Sequence, residues 1–153
     1  MRGSTHLTAG IAVGLTVARA RGLDLQETAV IAGVAGLTSL MPDWLQVNIP
    51  GLNKTIRGAF GHRGFSHWGL TVAGIYLVAM TRFPEIALSA ALGWLSHLLL
   101  DSLNRPGIPF FWPLPWRLHL ASIKTGARMD KFTNAWFAIV AVAQAVLIGM
   151  RFV

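Results

Sequence analysis

The feature that most constrains the fold of this chain is a run of nineteen residues without a charge, Phe132 to Met150. About 20 apolar helical residues cross the hydrocarbon core of a bilayer, so this run predicts a membrane-spanning helix. Four further apolar segments precede it, at about 5–18, 26–42, 66–81 and 86–101. Their Ala, Leu and Gly content favours helices, and none alternates like a barrel strand. The chain is therefore predicted to be all-α, a small integral membrane bundle of about five helices.

Composition agrees with this membrane assignment. Hydrophobic residues make up 54% of the chain and charged residues 12%, whereas soluble domains have about 25% charged residues. The 153-residue length predicts a single domain over residues 1–153. The four shorter segments are either tilted spans in a thinned bilayer or helices of a half-embedded bundle. Because the first segment carries His6, we expect it to be mature structure rather than a cleaved signal peptide.

The cations are distributed unevenly if all five segments cross the membrane. One side then receives nine of the thirteen Lys and Arg residues: Arg2, Lys54, Arg57, Arg63, Arg105, Arg117, Lys124, Arg128 and Lys131. The other side receives Arg19, Arg21, Arg82 and Arg151. Cytoplasmic loops are enriched in Lys and Arg, so the nine-cation side is predicted to be cytoplasmic.

Six of the eleven histidine and acidic side chains lie in short motifs within or beside the apolar segments. They are His6, Asp43, His62, His67, His97 and Asp101. Ionisable groups are costly in such surroundings, which indicates a function. Imidazoles with carboxylates are ligands for zinc, manganese or iron, and the absence of cysteine excludes thiolate sites. With five crossings all six fall on the nine-cation side, which predicts a metal site at one end of the bundle.

The motifs differ in specificity. His97 and Asp101 are four residues apart, so on a helix they share one face and can reach one ion; a structural His–Asp pair is the alternative. His62 and His67 are five apart, which suits a loop that turns into a helix, and interfacial histidines are the alternative. Helix capping and helix termination are the structural alternatives for the two weaker motifs, Thr5-His6 and Pro42-Asp43.

These motifs together resemble the YdjM-type family of predicted inner-membrane metal-dependent hydrolases. The matching segments are Thr5-His6, Met41-Pro42-Asp43, His62-Arg63-Gly64-Phe65-Ser66-His67 and Gly93-Trp94-Leu95-Ser96-His97-Leu98-Leu99-Leu100-Asp101, followed by an aromatic and proline-rich stretch from Phe110 to Trp116. The resemblance implies a distant similarity to zinc-dependent phospholipase C, and the six residues above as ligands. Two positions depart from the family pattern: Leu45 stands where a second acidic residue is common, which leaves the number of metal ions open, and Ser66 where threonine is common.

The predicted activity is hydrolysis of phosphoesters, either phospholipids or lipid-linked phosphates. One or two divalent ions, with zinc favoured and manganese or iron as alternatives, would activate a water molecule. Arg63 is the candidate phosphate clamp, with an interfacial snorkelling cation as its alternative. Asp43 and Asp101 are the candidate acid–base residues, and the sequence leaves the choice between them open. We expect the site to lie on the cytoplasmic side of a bacterial inner membrane.

The segment between the last two apolar runs is rich in proline and aromatic residues. Asn104 to His119 contains four prolines, so it cannot form one long helix. It is expected at the membrane interface, either as a roof over the site or as an aromatic belt without substrate contact. His119 is interpreted as interfacial rather than as a ligand. Membrane lipids are the expected partners, and nucleic acid is not expected because the cations are spread over several loops.

Two other function classes are open at this stage. A haem- or quinone-binding electron carrier could use His67 and His97 as axial ligands, although the neighbouring carboxylates argue against it. A proton-coupled transporter could also bury histidine and aspartate, and it would bind no stoichiometric metal.

Overall fold

The computed structural model describes residues 1–45 and 63–152, and over these residues it contains helices and no strands. In chain order the helices are α1 (Gly3–Arg21), α2 (Leu25–Thr38), α3 (Met41–Trp44), α4 (Gly69–Arg82), α5 (Pro84–Ser102) and α6 (Arg128–Gly149), with a 3-10 turn at Phe65–His67 before α4. Five of these helices are long, and α3 is a single turn. The prediction of an all-α bundle of about five helices is therefore confirmed.

Local sequence signals explain the hairpin between α1 and α2. Gly22 ends α1 in the left-handed conformation, with φ of 68°, which glycine adopts without steric cost. Asp24 then forms a capping box with Glu27: its carboxylate accepts from the Glu27 amide, and the Glu27 carboxylate accepts from the Asp24 amide. This turn reverses the chain and places the end of α2 beside the start of α1.

Several predicted boundaries are wrong in detail. The segment predicted at 26–42 is broken, because α2 ends at Thr38 and Pro42 belongs to the separate helix α3. Asp43 thus lies on α3 rather than at the end of the second helix. His67 lies in the 3-10 turn and not on the helix that follows. Both α1 and α5 have 19 residues and are longer than the segments 5–18 and 86–101.

The centre of the bundle consists of α1, α2 and α5, which pack against one another, while α6 packs on α1 and α4 on α5. Small residues line the contacts. Ala9, Ala18 and Ala35 are completely buried, and a Cβ added at Gly93 would collide with the Ala35 carbonyl oxygen. Small side chains allow helix backbones to approach closely. The ends of these three helices therefore meet in a narrow space.

One helix in the described part of the chain has the length and composition of a membrane span. This is α6, with 22 residues, a mean hydropathy of 1.7 and apolar side chains that are mostly exposed. It coincides with the predicted span at 132–150. Helix α4 is shorter, with 14 residues, and none of its residues is buried. Both helices present apolar surface outward.

The close contact at Gly93 predicts a specific effect on stability. We expect Gly93→Ala to destabilise the protein by about 1–3 kcal/mol, because the new methyl group forces α5 away from the backbone of α2. The matched control is Gly33→Ala, on α2, where no atom lies within 4 Å of an added Cβ; this variant should be neutral or slightly stabilising. Thermal unfolding in detergent measures both, and equal melting temperatures would contradict the packing argument.

Candidate metal centre

Four side chains from three segments converge at one end of the bundle. They are Asp43 on α3, His67 in the 3-10 turn, and His97 and Asp101 on α5, and each offers a ligand atom within 4.8 Å of all the others. His67, His97 and Asp101 are buried, whereas Asp43 is half-exposed. The group could therefore hold a metal ion, and it opens to the surface at Asp43.

The separations between donor atoms are those of a coordination shell. His97 Nε2 lies 3.3 Å from His67 Nε2 and 3.7 Å from Asp43 Oδ1. Asp101 Oδ2 lies 3.6 Å from His67 Nε2 and 3.8 Å from His97 Nε2. N–H···O hydrogen bonds are shorter, about 2.9 Å, whereas ligands about 2.0 Å from a tetrahedral zinc ion stand about 3.3 Å apart. These four separations fit a small divalent ion with only slight contraction, and every pair of donors in the group lies within 4.8 Å.

Polar contacts behind the histidines orient their rings. His97 Nδ1 lies 2.7 Å from the carbonyl oxygen of Ser39, so Nδ1 carries the proton and donates it. His97 Nε2 then presents a lone pair to the group. His67 Nδ1 lies 3.0 Å from Ser66 Oγ, and Trp94 Nε1 donates to the Ser66 carbonyl at 2.8 Å. The indole thus fixes the 3-10 turn that carries His67.

His6 lies beside the four-donor group. Its buried ring stacks on His97 with centroids 3.8 Å apart, and His6 Nε2 lies 3.4 Å from Asp101 Oδ1. Neither ring nitrogen of His6 has a hydrogen-bond partner among the described residues. Buried polar atoms rarely remain without partners, so an unsatisfied imidazole at this position fits a further metal ligand.

The two oxygens of Asp101 face different partners. Oδ2 faces His67 and His97, whereas Oδ1 faces His6, the terminal amine of Met1 at 2.7 Å and Asn104 Nδ2 at 3.2 Å. Asp101 therefore contacts the four-donor group through Oδ2 and a second set of polar groups through Oδ1. One member of that second set, the Met1 amine, is a cation.

Arg63 lies at the edge of the group in an unusual backbone conformation. Its φ is 60°, which non-glycine residues seldom adopt and which often occurs at functional sites. Arg63 Nη2 lies 3.7 Å from Asp101 Oδ2, and Nη1 donates to the Gly107 carbonyl at 3.1 Å. Arg117 Nη2 donates to the same carbonyl at 2.8 Å. Burial and the nearby Arg63 charge lower the pKa of Arg117, as expected for two adjacent guanidinium groups.

The structure brings most of the sequence-predicted residues together. His6, Asp43, Arg63, His67, His97 and Asp101 all lie within this site, and His62 is outside the described residues. Their roles as ligands and catalytic groups stay predictions. His119 is exposed, contacts Ser122 Oγ at 3.4 Å and is not among the four converging donors.

Sequence reasoning missed Ser39 and Asn104. Ser39 acts through its carbonyl, which no side-chain pattern indicates, whereas Asn104 follows Asp101 by three residues, a spacing that could have identified it.

The capping alternative for Thr5 is not observed: α1 has Arg2 at its N-cap, and Thr5 Oγ1 donates to the buried Asp130 at 2.8 Å. Thr5 therefore ties α1 to α6, which holds the neighbouring His6 in place.

Comparisons with known proteins identify a family. The YdjM inner membrane protein family matches residues 1–153. "Inner membrane protein YdjM" of Escherichia coli (strain K12) is 35% identical over 111 residues, covering 63% of this chain and 57% of that protein, and the Shigella flexneri protein matches equally. The match thus spans little more than half the length of these curated relatives. "Uncharacterized protein YvsG" of Bacillus subtilis (strain 168) is 31% identical over 144 residues, 88% of each chain. No solved structure matches, and the implied similarity to zinc-dependent phospholipase C stays a prediction.

The converging donors predict metal binding that depends on His67. We expect the purified wild-type chain to retain zinc, and His67→Ala to lower the affinity by about 100-fold or more, since loss of a ligand exceeds the 10- to 100-fold effects of residues behind the ligands. His119→Ala is the matched control and should keep wild-type metal content. Elemental analysis and competition with a chelator measure both variants, and equal zinc affinity in the two would remove His67 from the site.

Proposed function

Since this chain belongs to the YdjM inner membrane protein family, we propose that it is a membrane-bound metal-dependent hydrolase of phosphoesters, either phospholipids or lipid-linked phosphates. The observation that carries the proposal is the four-donor group of Asp43, His67, His97 and Asp101 with an arginine at its edge. Hydrolases of this class need a held divalent ion, a carboxylate near the attacking water and a cation for the phosphoryl oxygens.

The donors favour zinc as the ion. Two imidazoles and two carboxylates are a common zinc ligand set, and manganese or iron would accept the same donors. A second ion, if bound, would find a further ligand in His6, whose ring nitrogens have no hydrogen-bond partner among the described residues. When bound, the metal supplies Lewis acidity and makes a water molecule a better nucleophile near neutral pH.

The protein groups have separate roles in this proposal. Asp43 is the half-exposed carboxylate at the opening, so it is the proposed general base for incoming water. Asp101 is buried among three histidines and orients them. Arg63 has a buried Nε without a hydrogen-bond partner in the described structure, and this guanidinium is proposed to bind the phosphoryl oxygens as negative charge develops.

The geometry weakens the haem alternative. Axial ligands bind iron from opposite faces of a macrocycle. His67 Nε2 and His97 Nε2 are only 3.3 Å apart and both approach Asp101, which leaves no room for a haem between them. A proton-coupled transporter would use these residues without a stoichiometric metal, so the metal content of the purified protein distinguishes it from the proposed hydrolase.

Variants at the three proposed catalytic positions separate chemistry from metal binding. Arg63→Gln should lower turnover of a phosphodiester by about 100-fold or more with near-normal metal content, because it removes charge stabilisation and no ligand. Asp101→Asn should lose both activity and metal, and Asp43→Asn should lose activity. Lys131→Gln, an exposed change at the same end of the bundle, is the control.

Activity on a broad phosphoester panel and metal content are measured side by side on folded, membrane-inserted protein. A wild-type chain that holds metal and cleaves no phosphoester would replace the hydrolase proposal with a structural or transport role.

Membership of the family supports an inner-membrane location. We propose that the centre faces the cytoplasm, because five crossings would put nine of the thirteen cations of the sequence on its side. The chain has no cysteine, so single-cysteine variants are readily made. Leu120→Cys and Phe83→Cys are matched sites, 60% and 61% exposed, before α6 and between α4 and α5. An impermeant thiol reagent should label Phe83→Cys in spheroplasts and Leu120→Cys only after lysis. The reverse pattern would place the centre on the periplasmic side.

A further inference from the structure

A second polar cavity adjoins the candidate metal centre. It has a volume of about 370 Å³, within the range of ligand pockets, and we call it the cationic pocket. Its polar lining consists of Arg63, Asn104, Arg105, Ser122, Lys124 and Thr125.

The charged residues that line the cationic pocket all carry the same sign. Three of its lining residues are cations, and none is acidic. The nearby chain does not compensate, because the six acidic residues of the sequence include none between Ser102 and Met129. Clustered cations in a partly enclosed space focus a positive potential that attracts anions. Asp101 of the metal centre is not among the lining residues, although it contacts two of them, Arg63 and Asn104.

Two residues connect the cationic pocket to the centre. Arg63 Nη2 and Asn104 Nδ2 both approach Asp101, at 3.7 Å and 3.2 Å, and both residues line the pocket. Each also has a buried polar atom without a hydrogen-bond partner in the described part of the chain, Arg63 Nε and Asn104 Oδ1. A ligand at the inner end of the pocket would thus meet an unsatisfied donor and acceptor beside the proposed reaction site.

Hydrogen bonds hold the arginines of the pocket in place. Arg105 Nε donates to Ser122 Oγ at 3.0 Å, which keeps the guanidinium on the same side as Lys124. Arg117 reinforces the inner end, because it shares the Gly107 carbonyl with Arg63. The cavity is thus lined by the exposed cations Arg105 and Lys124 and by the less exposed Arg63, which contacts Asp101.

We propose that the cationic pocket binds the anionic head of the substrate, and that the protein therefore selects anionic phosphoesters over zwitterionic ones. This inference rests on the proposed function for turnover, although the binding it requires is separately measurable. A quaternary ammonium headgroup would bring a cation against Arg105 and Lys124 and would be rejected by like-charge repulsion. Arg105 and Lys124 are assigned as the residues that determine headgroup specificity. Arg63 contributes both to headgroup binding and to the proposed phosphoester hydrolysis.

The experiment measures binding to the full zinc-loaded chain in neutral detergent. The probes are inorganic phosphate, dihexanoyl phosphatidic acid and dihexanoyl phosphatidylcholine. We expect phosphatidic acid to bind at least about ten-fold more tightly than phosphatidylcholine. The double variant Arg105→Gln/Lys124→Gln should weaken the binding of phosphatidic acid by about ten-fold, as two exposed charge contacts allow. The control Lys131→Gln removes one positive charge from exposed α6 surface and should change the affinity by less than about two-fold.

The outcomes separate the two proposals and the two sources of the anion. Tighter binding of phosphatidic acid than of inorganic phosphate assigns the pocket to a lipid headgroup, and equal binding assigns it to the phosphate group alone. Equal affinities for both lipids, or a double variant that behaves like Lys131→Gln with zinc content preserved, would overturn this inference even if hydrolysis occurs. Selective binding without hydrolysis would instead reject the proposed function and leave the cationic pocket as an anion site.

Discussion

The structure of this end of the bundle depends on one buried carboxylate. Asp101 is 3% exposed, and a buried anion is costly unless positive charge or hydrogen bonds surround it. Its two oxygens meet three histidines, Asn104, Arg63 and the Met1 amine. These groups come from segments far apart in sequence, so the need to compensate one charge determines which parts of the chain must meet. A divalent ion would add the remaining positive charge where four donors already converge.

Helix packing supplies the precision that such a centre requires. Ser39 contributes twice: its carbonyl accepts from His97, and its hydroxyl lies 2.9 Å from the carbonyl oxygen of His6. These contacts require α1, α2 and α5 to approach closely, which their alanine and glycine contacts allow. A larger side chain at Gly93 would therefore change the orientation of the histidine rings as well as the packing of the core. Stability and ligand orientation are properties of the same interface.

Local periodicity was sufficient to predict the helices and the pairing of His97 with Asp101, because a spacing of four places both on one helical face. The positions of the histidine and aspartate motifs at the ends of the apolar segments also indicated that they gather at one end of the bundle. The break after Thr38 and the place of Asp43 on its own short helix were not predicted, although Pro42, in the first turn of α3, is a local signal for such a break. The joint use of the Gly107 carbonyl by Arg63 and Arg117 was equally inaccessible, because loop contacts between distant residues leave no periodic signal.

The attachment of His67 differs from that of the other donors. His97 and Asp101 stand on the central helix α5, whereas His67 precedes α4, which has no buried residue and packs mainly against α5. A change in the tilt of α4 would move His67 Nε2 relative to a fixed His97 Nε2. The outer face of α4 is apolar, and lipid in contact with it would act on that tilt through its thickness. Such a contact would link the position of His67, and with it the geometry of the centre, to the bilayer.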